Sequence, residues 1–180
     1  MTAKHTMLRA SLVASIVFAA SMFGFFFAWS VSTLWGLDQA PPYVAIQAMQ
    51  DMNASVRNVC FGAAFFGTPL VLAATTALFA VSGERATAAM VGLAALVYLG
   101  GVFIVTVTVN VPLNEQLART IIPAAVERAA EIWIAYSAPW QRANAIRTLA
   151  GGVTVLLLAA ALALPRTSIQ PVPAVTGAAP

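Results

Sequence analysis

Residues 105–117 read VTVTVNVPLNEQL, and the fold turns on how that stretch is understood. An apolar run ends here in two asparagines, Asn110 and Asn114, with Pro112 between them. Four residues make about one helical turn, so both amides can face one way, with Thr106 a turn earlier on the same side. Pro112 lacks an N–H, so in a continuing helix the carbonyl of Thr108 loses its usual donor. A freed carbonyl, two amides and the carboxylate of Glu115 therefore gather at the rim of a lipid-facing segment, where unpaired polar groups are costly.

Composition supports the membrane reading. The 180 residues are 61% hydrophobic and only 8% charged, against about 25% charged in an ordinary soluble domain. A soluble domain with so few charges would expose large apolar patches and associate, whereas membrane-spanning helices account for the same composition directly. The formal net charge of +3 is scattered, with no run of five or more Lys or Arg, so nucleic acid is not an expected partner. Cys60 is the only cysteine. It opens an apolar run and is expected to be a small buried hydrophobe. His5 is the only histidine. With no nucleotide-binding or nucleophile-elbow signature either, the sequence calls for no cofactor and no metal.

Outward from residues 105–117, the chain reads as all-α: a transmembrane four-helix bundle with short amphipathic helices in the loops after spans one and three. A polar tail, 1–9, precedes spans at about 10–35, 60–80, 87–109 and 146–164. Pro165 ends the last span, and 165–180 has no pattern and is expected to be disordered. Pro41-Pro42 is a good helix start, and Ile46, Met49, Asn53 and Val56 repeat at helical spacing over 43–57. Pro69 interrupts span two and frees the carbonyl of Phe65, while Gly62 and Gly67 allow close helix approach. Span three carries the small-residue side Ala88, Gly92, Ala95, and a mid-span Tyr98 whose hydroxyl needs a partner. In 110–145, Glu115 and Arg119 have the spacing of a helical ion pair, and Glu127, Arg128 and Glu131 read as a solvated face. Trp133, Tyr136 and Trp140 then approach the membrane, and Arg147 lies in the first turn of span four beside Asn144 and Thr148.

Four crossings put both termini on one side of the membrane. Five of the six acids fall on the other side, and the positive-inside tendency then favours cytoplasmic termini in the cell membrane. The end of span one, the amphipathic helix, the Asn110–Asn114 rim and Arg147 meet at the far face. A guanidinium just inside the apolar boundary wants a carboxylate or several oxygen acceptors. Asn53, Asn110, Asn114 and Glu115 are the available ones. Such groups stitch helix ends together, line a pocket open to lipid or to the outer aqueous face, or simply face solvent, and the residues leave these readings open.

With these residues in view, the chain resembles the anthrone oxygenase-like family of small four-span membrane proteins over about residues 8–164. Phe26-Phe27-Ala28-Trp29-Ser30 resembles the end of its first span. Ala48-Met49-Gln50-Asp51-Met52-Asn53 resembles the helix after it. Asn110-Val111-Pro112-Leu113-Asn114 resembles its most distinctive motif. Trp140 with Asn144-Ala145-Ile146-Arg147-Thr148 resembles its approach to span four. Many members carry a tryptophan and a histidine where this chain has Ala143 and Ala145, and a proline that 32–36 lacks. No histidine role is therefore carried over.

The resemblance implies oxidation of an apolar aromatic by dioxygen without an evident cofactor. Such chemistry needs a base to make a substrate anion and donors to hold it. Arg147, Asn110 and Asn114 are the candidates for the anion and Glu115 for the base. Asn53, Asn144, Trp29 and Thr148 are the candidates for substrate contact. The alternative is a non-enzymatic membrane module that binds a lipid or other hydrophobe, or packs against a partner, including a second copy of itself. A transporter is a third reading, disfavoured by the lack of any intramembrane acid.

Overall fold

A computed structural model describes residues 3–164. The described residues form five helices: α1 (Ala3–Gln39), α2 (Pro42–Ser55), α3 (Val59–Val81), α4 (Arg85–Ala118) and α5 (Val126–Ala163). All but α2 are long and apolar enough to cross a membrane. The protein is thus an integral membrane four-helix bundle with α2 lying across one end. The expected disordered tail falls outside the described residues. The expected polar tail at the start is already helical from Ala3, because Leu8 and Leu12 are buried against the bundle.

The spanning helices overshoot the bilayer. At 1.5 Å per residue, the 38 residues of α5 run about 57 Å, against about 30 Å of hydrocarbon. The surplus of α1, α4 and α5 projects at the end opposite the chain termini, and α2 packs into it. The helical character expected after span three is present, but it is continuous with the spans. α4 carries on through Pro112 to Ala118, and α5 begins at Val126. Proline is tolerated near a helix start, and α4 restarts at Val111 after a widened turn, which puts Pro112 in its first turn.

Two cores result. Within the membrane, Leu12, Met22, Phe26, Leu72, Val91 and Leu158 interlock. In the projecting cap, Ile46 and Met49 of α2 meet Leu34, Leu117, Trp133 and Trp140. The amphipathic pattern read over 43–57 thus buries its apolar face, Asn53 included. Gln50 Nε2 donates to the carbonyls of Leu117 and Thr120 at 2.8 and 3.0 Å, which satisfies the exposed end of α4. Asp38, at the end of α1, accepts from Trp133 Nε1, Ser137 Oγ and Gln141 Nε2 on successive turns of α5.

Inside the bilayer, small and hydroxyl residues do the joining. A Cβ on Gly101 would lie 2.3 Å from that of Ala150, so α4 and α5 touch there only because Gly101 has none. Gly67 likewise lies against the ring of Phe18. Gly62, expected to do the same, has nothing within 4 Å of a Cβ position. It faces a cavity instead. Cys60 is exposed rather than buried, since it sits in the first turn of α3 on its outer side. The carbonyl of Phe65, freed by Pro69, accepts from the Tyr98 hydroxyl at 3.1 Å. Each of the two groups left wanting by the sequence is the other's partner.

Candidate functional site

Three widened, π-helical turns interrupt the spans: Trp29–Thr33 in α1 and Thr106–Asn110 in α4 at the inner end of the cap, and Leu99–Ile104 deeper in α4. Each inserts a residue into the helical repeat and re-aims the side chains that follow, a device common beside functional sites. Here the outcome is that Thr106 and Asn110 are buried and point at α5.

Opposite them sits Arg147, only 4% exposed. Its guanidinium carbon lies 4.4 Å from the ring centre of Phe26 and 5.0 Å from that of Trp140. Nη2 donates to Asn144 Oδ1 at 2.8 Å and Nη1 to Thr106 Oγ1 at 3.4 Å. Among the described residues, Nε has no hydrogen-bond partner, and no carboxylate pairs with this cation. Two aromatic faces and two neutral oxygens attract a desolvated guanidinium, each ring by about 2 kcal/mol, but they leave its charge uncompensated.

Asn110, 1% exposed, donates through Nδ2 to the Trp140 carbonyl at 3.3 Å. A carbonyl only accepts, so this contact fixes the amide's orientation and leaves Oδ1 buried without a partner among the described residues. Asn114 accepts at Oδ1 from both Tyr136 Oη and Trp140 Nε1, at 2.8 and 2.9 Å. Tyr136 Oη in turn accepts from Asn53 Nδ2 at 3.3 Å. One relay therefore runs from α2 through α5 to α4.

These groups border a cavity of about 450 Å³, within the range of small-molecule sites. Arg147, Asn110, Asn114, Asn53, Thr106 and Trp140 form its polar end, and Phe25, Phe26, Trp29, Phe61 and Phe65 its apolar wall. Phe66, Val107 and Val111 line it and are also exposed on the outer surface, so it opens sideways where the bilayer would lie. Glu115 and Arg57 stand at its other mouth as an ion pair, with Arg119 4.0 Å away on the far side. The Glu115 side chain is 41% exposed there.

Of the eight residues singled out from the sequence, Asn110, Asn114, Arg147, Glu115, Asn53 and Trp29 line this one cavity. Asn144 and Thr148 do not. Asn144 donates to the Phe26 carbonyl and to Ser30 Oγ while holding Arg147, and the Thr148 hydroxyl bonds Ser30 Oγ and the Asn144 carbonyl. Both face the α1–α5 seam, with Asn144 as the support of the guanidinium. Sequence reading missed Phe26 as a ring beneath Arg147 and Tyr136 as the hub of the relay. A signal for the second was present. Trp133, Tyr136, Trp140, Asn144 and Arg147 follow one another at three- and four-residue steps, a single helical stripe obscured by starting the last helix at 146. Among the described residues, no three His, Cys, Asp or Glu side chains gather in one place.

Comparison with known proteins bears on this arrangement. No curated protein and no solved structure matches the chain. The family model described as anthrone oxygenase matches residues 58–162, which takes in α3, α4 and nearly all of α5. That match covers more than half the sequence and includes Asn110, Asn114 and Arg147, and on it the chain belongs to the anthrone oxygenase family.

Proposed function

We propose that this protein oxygenates a planar, apolar aromatic ketone of the anthrone type, taken from the bilayer into the cavity beside Arg147. The observation that carries the reading is a buried guanidinium with no carboxylate partner among the described residues, bordering an aromatic-walled cavity that opens sideways between the spans. Uncompensated buried positive charge favours a ligand that becomes negative. An anthrone does so when the carbon opposite its carbonyl loses a proton, because the charge then moves onto oxygen. Arg147 holds that oxygen, and the amide nitrogen of Asn114, which has no other hydrogen-bond partner among the described residues, adds a donor. Glu115 is the carboxylate among the lining residues and takes the proton. The carbanion passes electrons to dioxygen, a carbon–oxygen bond forms, and loss of water leaves the quinone. One anthrone and one dioxygen thus give one anthraquinone and one water. In the same reading the termini are cytoplasmic and the cap faces outward.

The test is oxygen uptake by the protein in lipid nanodiscs with an anthrone as substrate, with Arg147→Gln alongside. The wild type consumes one dioxygen per quinone formed. Arg147→Gln retains the fold and loses about 10²–10³-fold in turnover, the scale set by removing one donor from an oxyanion site. Saturable anthrone binding without oxygen uptake would replace this reading with that of a non-enzymatic hydrophobe-binding module.

A further inference from the structure

Three consecutive residues at the start of α3 border different spaces. Cys60 lines a second hollow, of about 430 Å³, between α1 and α3. Gly62 lines the cavity beside Arg147. Phe61, between them, lines both. The first turn of α3 is therefore a partition. Across it stands Phe25 of α1, which also borders both spaces, its ring centre 5.1 Å from that of Phe61. Two polar side chains of the second hollow already have partners. The Ser21 hydroxyl donates to the Phe18 carbonyl at 2.8 Å. Asn58 Nδ2 donates to the Ser55 carbonyl at 2.8 Å, and its Oδ1 accepts from the Phe61 N–H at 3.0 Å. With those groups spent, and with Met22, Phe25, Phe61 and Ala64 around it, the hollow suits an apolar occupant.

We infer that this hollow is a second passage for the cavity's own ligand, running between α1 and α3, with the Phe61 ring as its door. The inference rests on the cavity being a ligand site. It adds that a planar apolar molecule travels on either side of α3, since the opening at Phe66 and Val107 lies on the α4 side. Asn58 pins the backbone of Phe61, so the door swings by side-chain rotation while the helix stays in place. Phe25 and Phe61 are half-buried, unlike the buried Phe26 and Phe65 of the same wall. The specific attraction of one aromatic pair is worth at most about tenfold in population, and a flat ligand sliding past replaces it with contacts of its own. Entry and departure then need not share one route.

The test follows a thiol reagent and needs no oxygen uptake. Gly62→Cys in a Cys60→Ser background puts one thiol in the cavity, at a position where a Cβ meets nothing within 4 Å. The probe is a pyrenylmaleimide dissolved in the lipid of the nanodiscs, a flat apolar molecule that becomes fluorescent on adding to the thiol. Ser21→Trp obstructs the passage between α1 and α3, and Val107→Trp the opening between α3 and α4. Both positions are exposed, so neither change disturbs packing. Each obstruction alone is expected to leave about half the labelling rate, and the two together to lower it about tenfold or more. Phe61→Ala, which adds no bulk, is expected to raise the rate about tenfold when only the opening between α3 and α4 is obstructed. A rate lowered as far by Val107→Trp alone as by both obstructions would overturn the inference. So would a doubly obstructed rate no lower than that of either single variant, a rate that Phe61→Ala leaves unchanged, or no labelling with both ways open. Since the probe is not oxidised, the passage can fail while oxygenation stands, and the reverse.

Discussion

Tyr98 and Pro69 show how two single residues, each a liability alone, resolve one another. The ring of proline removes a donor in mid-membrane, and a buried phenol supplies one to the same carbonyl. Tyr98→Phe should therefore cost about 1–2 kcal/mol of stability, the price of an unsatisfied carbonyl. In a Pro69→Ala background, where a backbone N–H returns, the same change should cost well under half as much. Thermal denaturation of the four proteins in one detergent gives the coupling directly. The need of each residue was legible in the sequence, but their pairing was not. They lie in different helices, and register between helices depends on packing that no single segment encodes. The burial of Arg147 was legible in the same limited way: its place inside the apolar boundary was evident, whereas the two rings that flank it come from α1 and from about two turns earlier in α5.

At the scale of elements, the glycines separate contact from cavity. Gly101→Leu should prevent α4 from seating on α5, where even a Cβ would collide with Ala150. Gly100→Leu, one residue away with nothing within 4 Å, should be stable to within about 0.5 kcal/mol. Gly62→Leu should also fold, yet narrow the cavity it borders and weaken quinone binding at least tenfold. Size-exclusion profiles check the first two, and a ligand titration the third. Spans and the amphipathic α2 could be read from apolar run length and helical spacing, because those signals are local. The widened turns could not, since an extra residue in a helical turn leaves no compositional mark. They decide which way Thr106 and Asn110 point, so the sequence brought the site's members to one face and could not say which of them converge. Asn144 and Thr148 share that face but turn to the α1–α5 seam.

For the whole molecule, the overshoot of the long helices moves the chemistry away from the bilayer centre. Charge at the middle of the membrane is penalised most heavily, and Arg147 instead lies where the spans run into the cap. Cys60, exposed at that end of α3, offers a direct check of orientation. With the termini cytoplasmic, a membrane-impermeant maleimide should label Cys60 in intact cells, and Cys60→Ser should abolish the signal. Labelling only after lysis would reverse the orientation. The Asp38 clasp has a mechanical corollary. Because one carboxylate grips three rungs of α5, the first and last crossings leave the lipid as a welded pair. Breathing of the chamber is then left to the opposite flank, where α2 hands over to α3 beside the water-washed Arg57–Glu115 latch.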